Sequence, residues 1–114
     1  MKKYEGVIGL AFRARKLATG TESVLDAIRA GKSALVLVAA DASEDTKKKI
    51  SDKCAFYGRK FVIIPTMKGE LGRLLGRNDT ATAAFLDASF VKAFETSLAR
   101  EETTTSGKEN SNEN

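Results

Sequence analysis

The sequence predicts an α/β protein: a three-layer α/β/α sandwich with a mixed four-stranded sheet and helices on both faces. Short apolar segments of strand length alternate with segments whose apolar residues recur at helical spacing. This alternation is typical of a central, partly parallel sheet that is covered by helices. A length of 114 residues allows one domain and not two.

The first part of the chain predicts two helices separated by a short strand. Helical spacing predicts a first helix over about residues 3–15, and residues 17–19 are a candidate strand. Thr19 and Glu22 have the spacing of a capping box, so a second helix is predicted over about 20–30.

The middle of the chain predicts two strands with a helix between them. The aliphatic run 34–39 is typical of a strand that is buried on both faces. Ser43 is a suitable N-cap for a third helix, and Gly58 is a suitable end. The inner stripe of that helix is predicted to be Ile50, Cys54 and Tyr57. Residues 61–64 are the next strand, which ends at Pro65.

The last third predicts a short helix, a strand and a final helix. The short helix ends at Gly76, and residues 81–86 are the fourth strand. The inner stripe of the final helix is predicted to be Phe90, Val91, Phe94 and Leu98. Because residues 101–114 contain no apolar side chain, we expect a domain over 1–100 and a disordered acidic and polar tail over 101–114.

The charge is unevenly distributed along the chain. The formal net charge is +4, but residues 1–77 contain 16 basic and 8 acidic side chains, whereas residues 78–114 contain 3 basic and 7 acidic ones. The basic character therefore belongs to the first two-thirds of the chain. A basic small domain favours a polyanionic partner such as nucleic acid.

The composition argues against an enzyme. There is no histidine and one cysteine, so catalytic triads, an intrachain disulfide and a thiolate metal cluster are excluded. Cys54 is predicted to be a core thiol, and Asp41 a turn or cap residue. We therefore expect no catalysis, no metal and no cofactor. With no signal peptide or membrane span in the sequence, we expect a cytoplasmic monomer that does not bind membranes.

The basic side chains form two kinds of group. Lys47, Lys48, Lys49 and Lys53 alternate with acids on the third helix, which is typical of a solvated face. Arg13 and Lys16 have few acidic neighbours and lead into the start of the second helix. The unpaired N–H groups of that start are a potential anion site, and a start that is merely capped is an equal alternative.

Three further cations belong to the same hypothesis. Lys32 begins the buried strand, and in a parallel sheet the loops at Lys68 and Arg77 would lie beside the start of the second helix. Such a surface suits a phosphate backbone. The aromatic residues fall mostly on predicted core positions, so stacking of single-stranded RNA is not favoured. Contact with a structured RNA through a helix terminus and loops fits better.

Several segments resemble a known family. Residues 9–22, with the sequence GLAFRARKLATGTE, resemble the opening of bacterial YlxQ-type proteins. These belong to the superfamily of kink-turn-binding ribosomal proteins, the L7Ae and L30e group. The resemblance continues through AIRAGK at 27–32 and LVLVAADAS at 35–43, and it covers about residues 3–98. It implies a three-layer α/β/α fold and a non-enzymatic bacterial protein that binds ribosomal or other structured RNA, as in a ribonucleoprotein.

The resemblance also implies where RNA would bind. Kink-turn readers of this superfamily carry G-x-N-E-x-x-K at the start of the second helix, and here residues 20–26 are GTESVLD. Glutamate, serine and aspartate thus replace the Asn, Glu and Lys of the pattern. The second contact loop is apolar in those readers and is Arg77-Asn78-Asp79-Thr80 here. Because aspartate repels phosphate where lysine attracts it, RNA of another motif is favoured over a standard kink-turn.

The resulting hypothesis is RNA binding through the second helix start and adjacent loops. The candidate residues are Arg13, Lys16 and Lys32 for phosphate contacts, Gly20 and Thr21 as backbone donors, Glu22 and Ser23 as base readers, and Lys68 and Arg77 from neighbouring loops. The alternative is a protein-interaction adaptor of the same fold that has lost standard kink-turn binding, with ribosome-associated proteins as partners.

Overall fold

The computed structural model describes the backbone of residues 2–113 and the side chains of residues 2–101. Helices and strands alternate in the predicted order. The elements are α1 (Lys3–Arg13), β1 (Leu17–Thr19), α2 (Thr21–Arg29), β2 (Leu35–Ala39), α3 (Glu44–Tyr57), β3 (Phe61–Ile64), α4 (Lys68–Leu74), β4 (Thr82–Phe85) and α5 (Ala88–Glu113). The tail predicted to be disordered, 101–114, lies outside the described side chains except at Glu101, so that expectation stays a prediction.

The sheet is mixed, as predicted, with the strand order β1-β4-β2-β3. β4 is antiparallel to both β1 and β2, and β3 is parallel to β2. Strands β1, β2 and β3 therefore share one direction. We call the end at which these three strands finish and β4 begins the carboxyl end of the sheet, and the opposite end the amino end.

Two apolar cores cover the two faces of the sheet. On one face, Tyr4 of α1 and Phe94 of α5 pack in the same cluster as Leu37 and Phe85. On the other face, α2 and α3 pack against the sheet, and the cluster contains Val24, Ile28, Val36, Val38 and Ile50. Because β2 contributes to both cores, its five residues are all buried, which confirms the interpretation of its aliphatic run.

Local signals fix both ends of α3. The Ser43 hydroxyl accepts a hydrogen bond from the Thr46 N–H at 3.1 Å, which confirms Ser43 as the N-cap of α3. Gly58 ends that helix in the left-handed conformation, with φ 67°. A hydrogen-bonded chain then joins α1 to the segment after β3. The Tyr4 hydroxyl lies 2.6 Å from the Thr66 hydroxyl, which donates to the Glu5 carboxylate at 2.7 Å.

Three sequence expectations were wrong. The capping box of Thr19 and Glu22 does not form, because α2 begins one residue later with Gly20 as its N-cap. The inner stripe of α3 contains Ile50 and Cys54 but not Tyr57, which is exposed. Phe12, Phe56 and Phe61 are exposed as well, although the aromatic residues were expected mostly in the core.

Candidate nucleic-acid interface

The carboxyl end of the sheet brings the start of α2 together with the loop before β4. The Gly20 N–H donates to the Thr82 carbonyl at 2.9 Å, which joins the β1–α2 junction to β4. The hydroxyls of Thr21 and Thr82 lie 3.3 Å apart, within hydrogen-bond distance. Thr82 was absent from the predicted site. The signal that could have identified Thr82 is a single polar residue among the alanines of the predicted fourth strand.

The start of α2 is built by the backbone and not by a side chain. Gly20 has φ 91° and ψ 152°, a conformation that disfavours residues with a Cβ. No side chain caps the helix, so the N–H groups of Thr21, Glu22 and Ser23 have no side-chain acceptor. Glu22 and Ser23 are also exposed. This turn is therefore open to an external hydrogen-bond acceptor, and the positive end of the helix dipole favours an anion.

Arg77 lies directly beside that helix start. Its guanidinium donates to the Thr19 hydroxyl and approaches the Thr19 carbonyl at 3.5 Å. A Cβ added to Gly20 would lie 3.5 Å from the same guanidinium. The expectation that the Arg77 loop adjoins the second helix is thereby confirmed. The exposed guanidinium adds a positive charge next to the open N–H groups.

Gly72 sets the position of the Arg77 loop. The Arg77 N–H donates to the Gly72 carbonyl at 2.8 Å. A Cβ at residue 72 would lie 2.0 Å from the Asn78 carbonyl oxygen, which is far inside van der Waals contact. Only glycine lets the loop backbone approach α4 this closely, so Gly72 has a packing role.

Lys68 enters the same end of the sheet through the start of α4. Its N–H donates to the Asp41 carboxylate at 2.7 Å, and its carbonyl accepts from the Thr80 N–H at 3.0 Å. Asp41 is thus a capping residue, as expected, although it caps α4 and not the following helix. The Lys68 side chain is half-buried near the loop that contains Arg77.

Arg13, Lys16 and Lys32 lie at the amino end of the sheet. Lys16 precedes β1, and its carbonyl accepts from the Leu86 N–H beyond the end of β4 at 2.8 Å. Lys32 precedes β2, which runs in the same direction as β1. Strand direction thus places Lys16 and Lys32 at the end of the sheet opposite Gly20 and Arg77, and RNA contact by these cations stays a prediction.

Acidic side chains lie close to the candidate interface. Glu22 is exposed in the first turn of α2. Asp26, one turn further, pairs with Arg29 at 2.9 Å, and both side chains are exposed. A pair of this kind is weak and competes with solvent.

Among the described side chains, no group of His, Cys, Asp or Glu could hold a metal ion. No helix in the described part of the chain is long and apolar enough to cross a membrane.

Fold and site together define a small α/β/α domain whose candidate interface consists of loops at one end of the sheet. The sequence model of the ribosomal protein L7Ae/L30e/S12e/Gadd45 family matches residues 2–94. The chain belongs to this family, which confirms the resemblance that its sequence suggested.

Several relatives are similar to this chain. The RNA-binding protein YlxQ of Bacillus subtilis (strain 168) is 37% identical over 84 residues, which cover 74% of this chain and 83% of that protein. The RNA-binding protein YlxQ of Enterococcus faecium is 52% identical over 56 residues, which cover 49% of this chain and 54% of that protein. Both support a bacterial YlxQ-type member of the family.

Solved structures support the fold. A protein of unknown function from Bacillus halodurans C superposes with a TM-score of 0.78 at 33% identity, covering 87% of this chain and 99% of that one. The Giardia lamblia 15.5kD RNA binding protein superposes with a TM-score of 0.70 at 20% identity, covering 89% and 86%. At that identity the second likeness shows the fold alone.

Proposed function

We propose that this protein binds structured RNA without catalysing a reaction, through the start of α2 and the loops around it. The observation on which this rests is the open first turn of α2 with Arg77 beside it. Membership of the L7Ae/L30e/S12e/Gadd45 family and similarity to proteins named RNA-binding support the same function. Ribosomal RNA in the cytoplasm is the proposed setting, and the single cysteine, a buried free thiol, is compatible with a reducing compartment.

The residues at the carboxyl end would contact the RNA through different chemical groups. The Gly20 N–H already donates to the Thr82 carbonyl, so the backbone donors offered to a phosphate or a base edge are those of Thr21, Glu22 and Ser23. Glu22 and Ser23 are exposed acceptors and donors in the same turn, suited to base edges. Lys68 and Arg77 supply positive charge to the phosphates on either side. The protein then recognises a shaped RNA element and not a uniform helix.

Arg13, Lys16 and Lys32 would bind phosphates separately, at the amino end of the sheet. All three are exposed. β1 has three residues and β2 has five, which correspond to about 10 and 17 Å, so Lys16 and Lys32 would meet a different part of the RNA from the part at Arg77. Their contribution is mainly electrostatic and therefore falls steeply with salt.

The acids at the interface would select against a standard kink-turn. Glu22 and Asp26 place negative charge where kink-turn readers carry asparagine and lysine. Loss of a well-placed base contact costs about 1–3 kcal/mol. A related internal loop or junction of ribosomal RNA is the proposed target.

Titration of the full chain against fluorescently labelled ribosomal RNA fragments, from about 50 to 200 mM salt, tests the proposal. Arg77→Glu is expected to weaken binding at least about fivefold at every salt concentration. The double variant Lys16→Glu/Lys32→Glu is expected to reduce affinity most at low salt. Lys92→Glu, an exposed charge reversal on α5, is the matched control and should bind like the wild type. Affinity independent of salt, or equal for Arg77→Glu and Lys92→Glu, would contradict the proposal.

An adaptor that binds proteins is the second candidate, and the negative charges of Glu22 and Asp26 at the helix start favour it. Sedimentation of the protein with ribosomes, before and after nuclease treatment, separates the two functions. Nuclease-sensitive association supports RNA binding. Association that survives nuclease, with binding to a purified ribosomal protein, supports the adaptor.

A further inference from the structure

A strip of exposed apolar side chains runs from the end of α3 along β3. Phe56 is 78% exposed, Ile63 and Met67 are each 48% exposed, and Tyr57 and Phe61 are 38% and 37% exposed. We call these five residues the β3 strip. The rings of Phe56 and Tyr57 meet edge to face, with centroids 4.8 Å apart. The strip lies outside the α2 start and the Arg77 loop.

Sheet topology explains why the strip is exposed. β3 is the last strand of the sheet, with β2 as its neighbour. Phe61 pairs with Val36 and Ile63 with Val38, so both side chains point to the face that α2 and α3 cover. The two helices bury Val36 and Val38 completely but leave Phe61 and Ile63 partly exposed to solvent.

The backbone of β3 also has an open edge, on the side away from β2. The Lys60 carbonyl accepts from the Val36 N–H at 3.0 Å and so points towards β2. Because backbone groups alternate in direction along a strand, the N–H and carbonyl groups of Phe61 and Ile63 point away from β2. The strip thus combines aromatic rings with polar backbone groups that can pair with base edges.

The surroundings of the strip are mainly basic, with Glu70 as an acidic neighbour at the Met67 end, where its carboxylate accepts from the Met67 N–H at 3.1 Å. Residues 47–68 contain one acidic side chain, Asp52, which pairs with Lys48 at 3.1 Å. The same segment contains seven basic side chains: Lys47, Lys48, Lys49, Lys53, Arg59, Lys60 and Lys68. An apolar partner peptide would leave this charge uncompensated, whereas a polyanion with aromatic bases complements both the charge and the rings.

We propose that the β3 strip binds unpaired nucleotides that flank the structured RNA held at the carboxyl end of the sheet. Phe56 and Phe61 would stack on bases, and Lys53 and Lys60 would contact the phosphates between them. This inference rests on the proposed RNA-binding function and adds a second contact surface to it. β3 has four residues and spans about 13 Å, and the chain then leads through Met67 to Lys68, so a single strand leaving the first site can follow β3.

The test compares three RNAs by fluorescence anisotropy with the full chain: a ribosomal RNA hairpin that contains an internal loop, the same hairpin with a uridine extension of about ten nucleotides, and that hairpin with an abasic extension. The abasic extension keeps the phosphates and removes the bases. We expect the uridine extension to tighten binding about fivefold or more, and the abasic extension to recover only a part of this gain.

Two phenylalanine variants assign the gain to stacking. Phe56→Leu keeps an apolar side chain at an exposed position and is expected to remove most of the gain from the extension, while Phe56→Trp preserves it. Phe12→Leu is the matched control, because Phe12 is an exposed phenylalanine on α1 with 38% exposure. All three variants are expected to bind the bare hairpin like the wild type.

Each outcome decides the inference. If the bare hairpin binds and the extension adds nothing, or Phe56→Leu retains the full gain, the β3 strip does not bind nucleotides and the proposed function stands. If neither RNA binds at any salt concentration, both proposals fail. If the extended RNA alone binds, with loss in Phe56→Leu, the inference holds and the proposed role of the α2 start is contradicted.

Discussion

The two ends of the sheet present positive charge in different ways. At the carboxyl end, backbone contacts fix the α2 start and the Arg77 loop relative to each other, and acids lie among the cations. At the amino end, Arg13, Lys16 and Lys32 project into solvent, and Asp87 interacts electrostatically with Lys16. The first end is suited to the shape of an RNA, the second to its charge. The location of the cations in the sheet therefore distinguishes their proposed roles, which the net charge of the chain does not.

The largest expected effect comes from Gly72→Ala, which disrupts the carboxyl end alone. The new methyl group would overlap the Asn78 carbonyl, so the Arg77 loop must move away from α4. We expect a loss of about 3 kcal/mol in unfolding free energy, measured by urea denaturation. Binding should weaken with it, because Arg77 no longer lies beside Gly20.

Gly6→Ala is the matched control for that variant. Gly6 lies within α1, and a Cβ there meets nothing within 4 Å. Alanine is the better helix former, so this variant should gain up to about 1 kcal/mol. Equal stability of the two variants would show that the loop adapts at no cost and that Gly72 does not set its position.

A charge change on α2 tests whether the carboxyl end selects against RNA. Asp26→Lys replaces an exposed carboxylate by an ammonium group and breaks the weak pair with Arg29. We expect affinity for a kink-turn RNA to rise about fivefold at low salt, measured by anisotropy, and this gain to shrink as salt increases. Glu95→Lys makes the same charge change at an exposed position of α5, on the opposite face of the sheet from α2, and should leave the affinity nearly unchanged.

The sequence predicted the fold well because most of its elements have strong local signals. The aliphatic run of β2, the Ser43 cap and Gly58 each specify their own segment. The same reasoning failed where a long-range neighbour decides the outcome. Thr19 was expected to cap α2, but its hydroxyl accepts from Arg77, which is 58 residues away in the chain.

Strand direction limited the prediction of the site in the same way. Lys16 is only four residues before Gly20, yet β1 between them places the two at opposite ends of the sheet. The exposure of Phe61 was missed because periodicity cannot show that β3 is the last strand. Thr82 and the approach of Gly72 to Asn78 likewise depend on how distant segments meet.

Tyr4→Phe tests whether the hydrogen bond between α1 and Thr66 stabilises the carboxyl end of the sheet. It removes the hydroxyl that lies 2.6 Å from Thr66, at a cost of about 1 kcal/mol. Burial raises the pKa of Tyr4 above its usual value of 10.0, so the wild-type fold favours the neutral phenol. That contribution is complete below pH 10 and is lost as pH rises through the higher folded-state pKa. Denaturation at several pH values should show a smaller alkaline loss for Tyr4→Phe than for the wild type, and identical slopes would contradict this.

The smallest expected effect belongs to Asp87 at the amino end. Its carboxylate accepts from the Ser89 N–H at 2.9 Å, and this hydrogen bond, with a smaller contribution from Lys16, lowers its pKa below 3.8. A lowered pKa stabilises the fold above the unfolded value and loses that effect as pH falls through the folded value. Asp87→Asn should therefore flatten the acid limb of the stability profile slightly. Because the variant also removes the negative charge near Lys16, it should strengthen RNA binding at low salt. If RNA affinity is unchanged while the stability profile flattens at acid pH, charge at the amino end does not contribute to RNA binding.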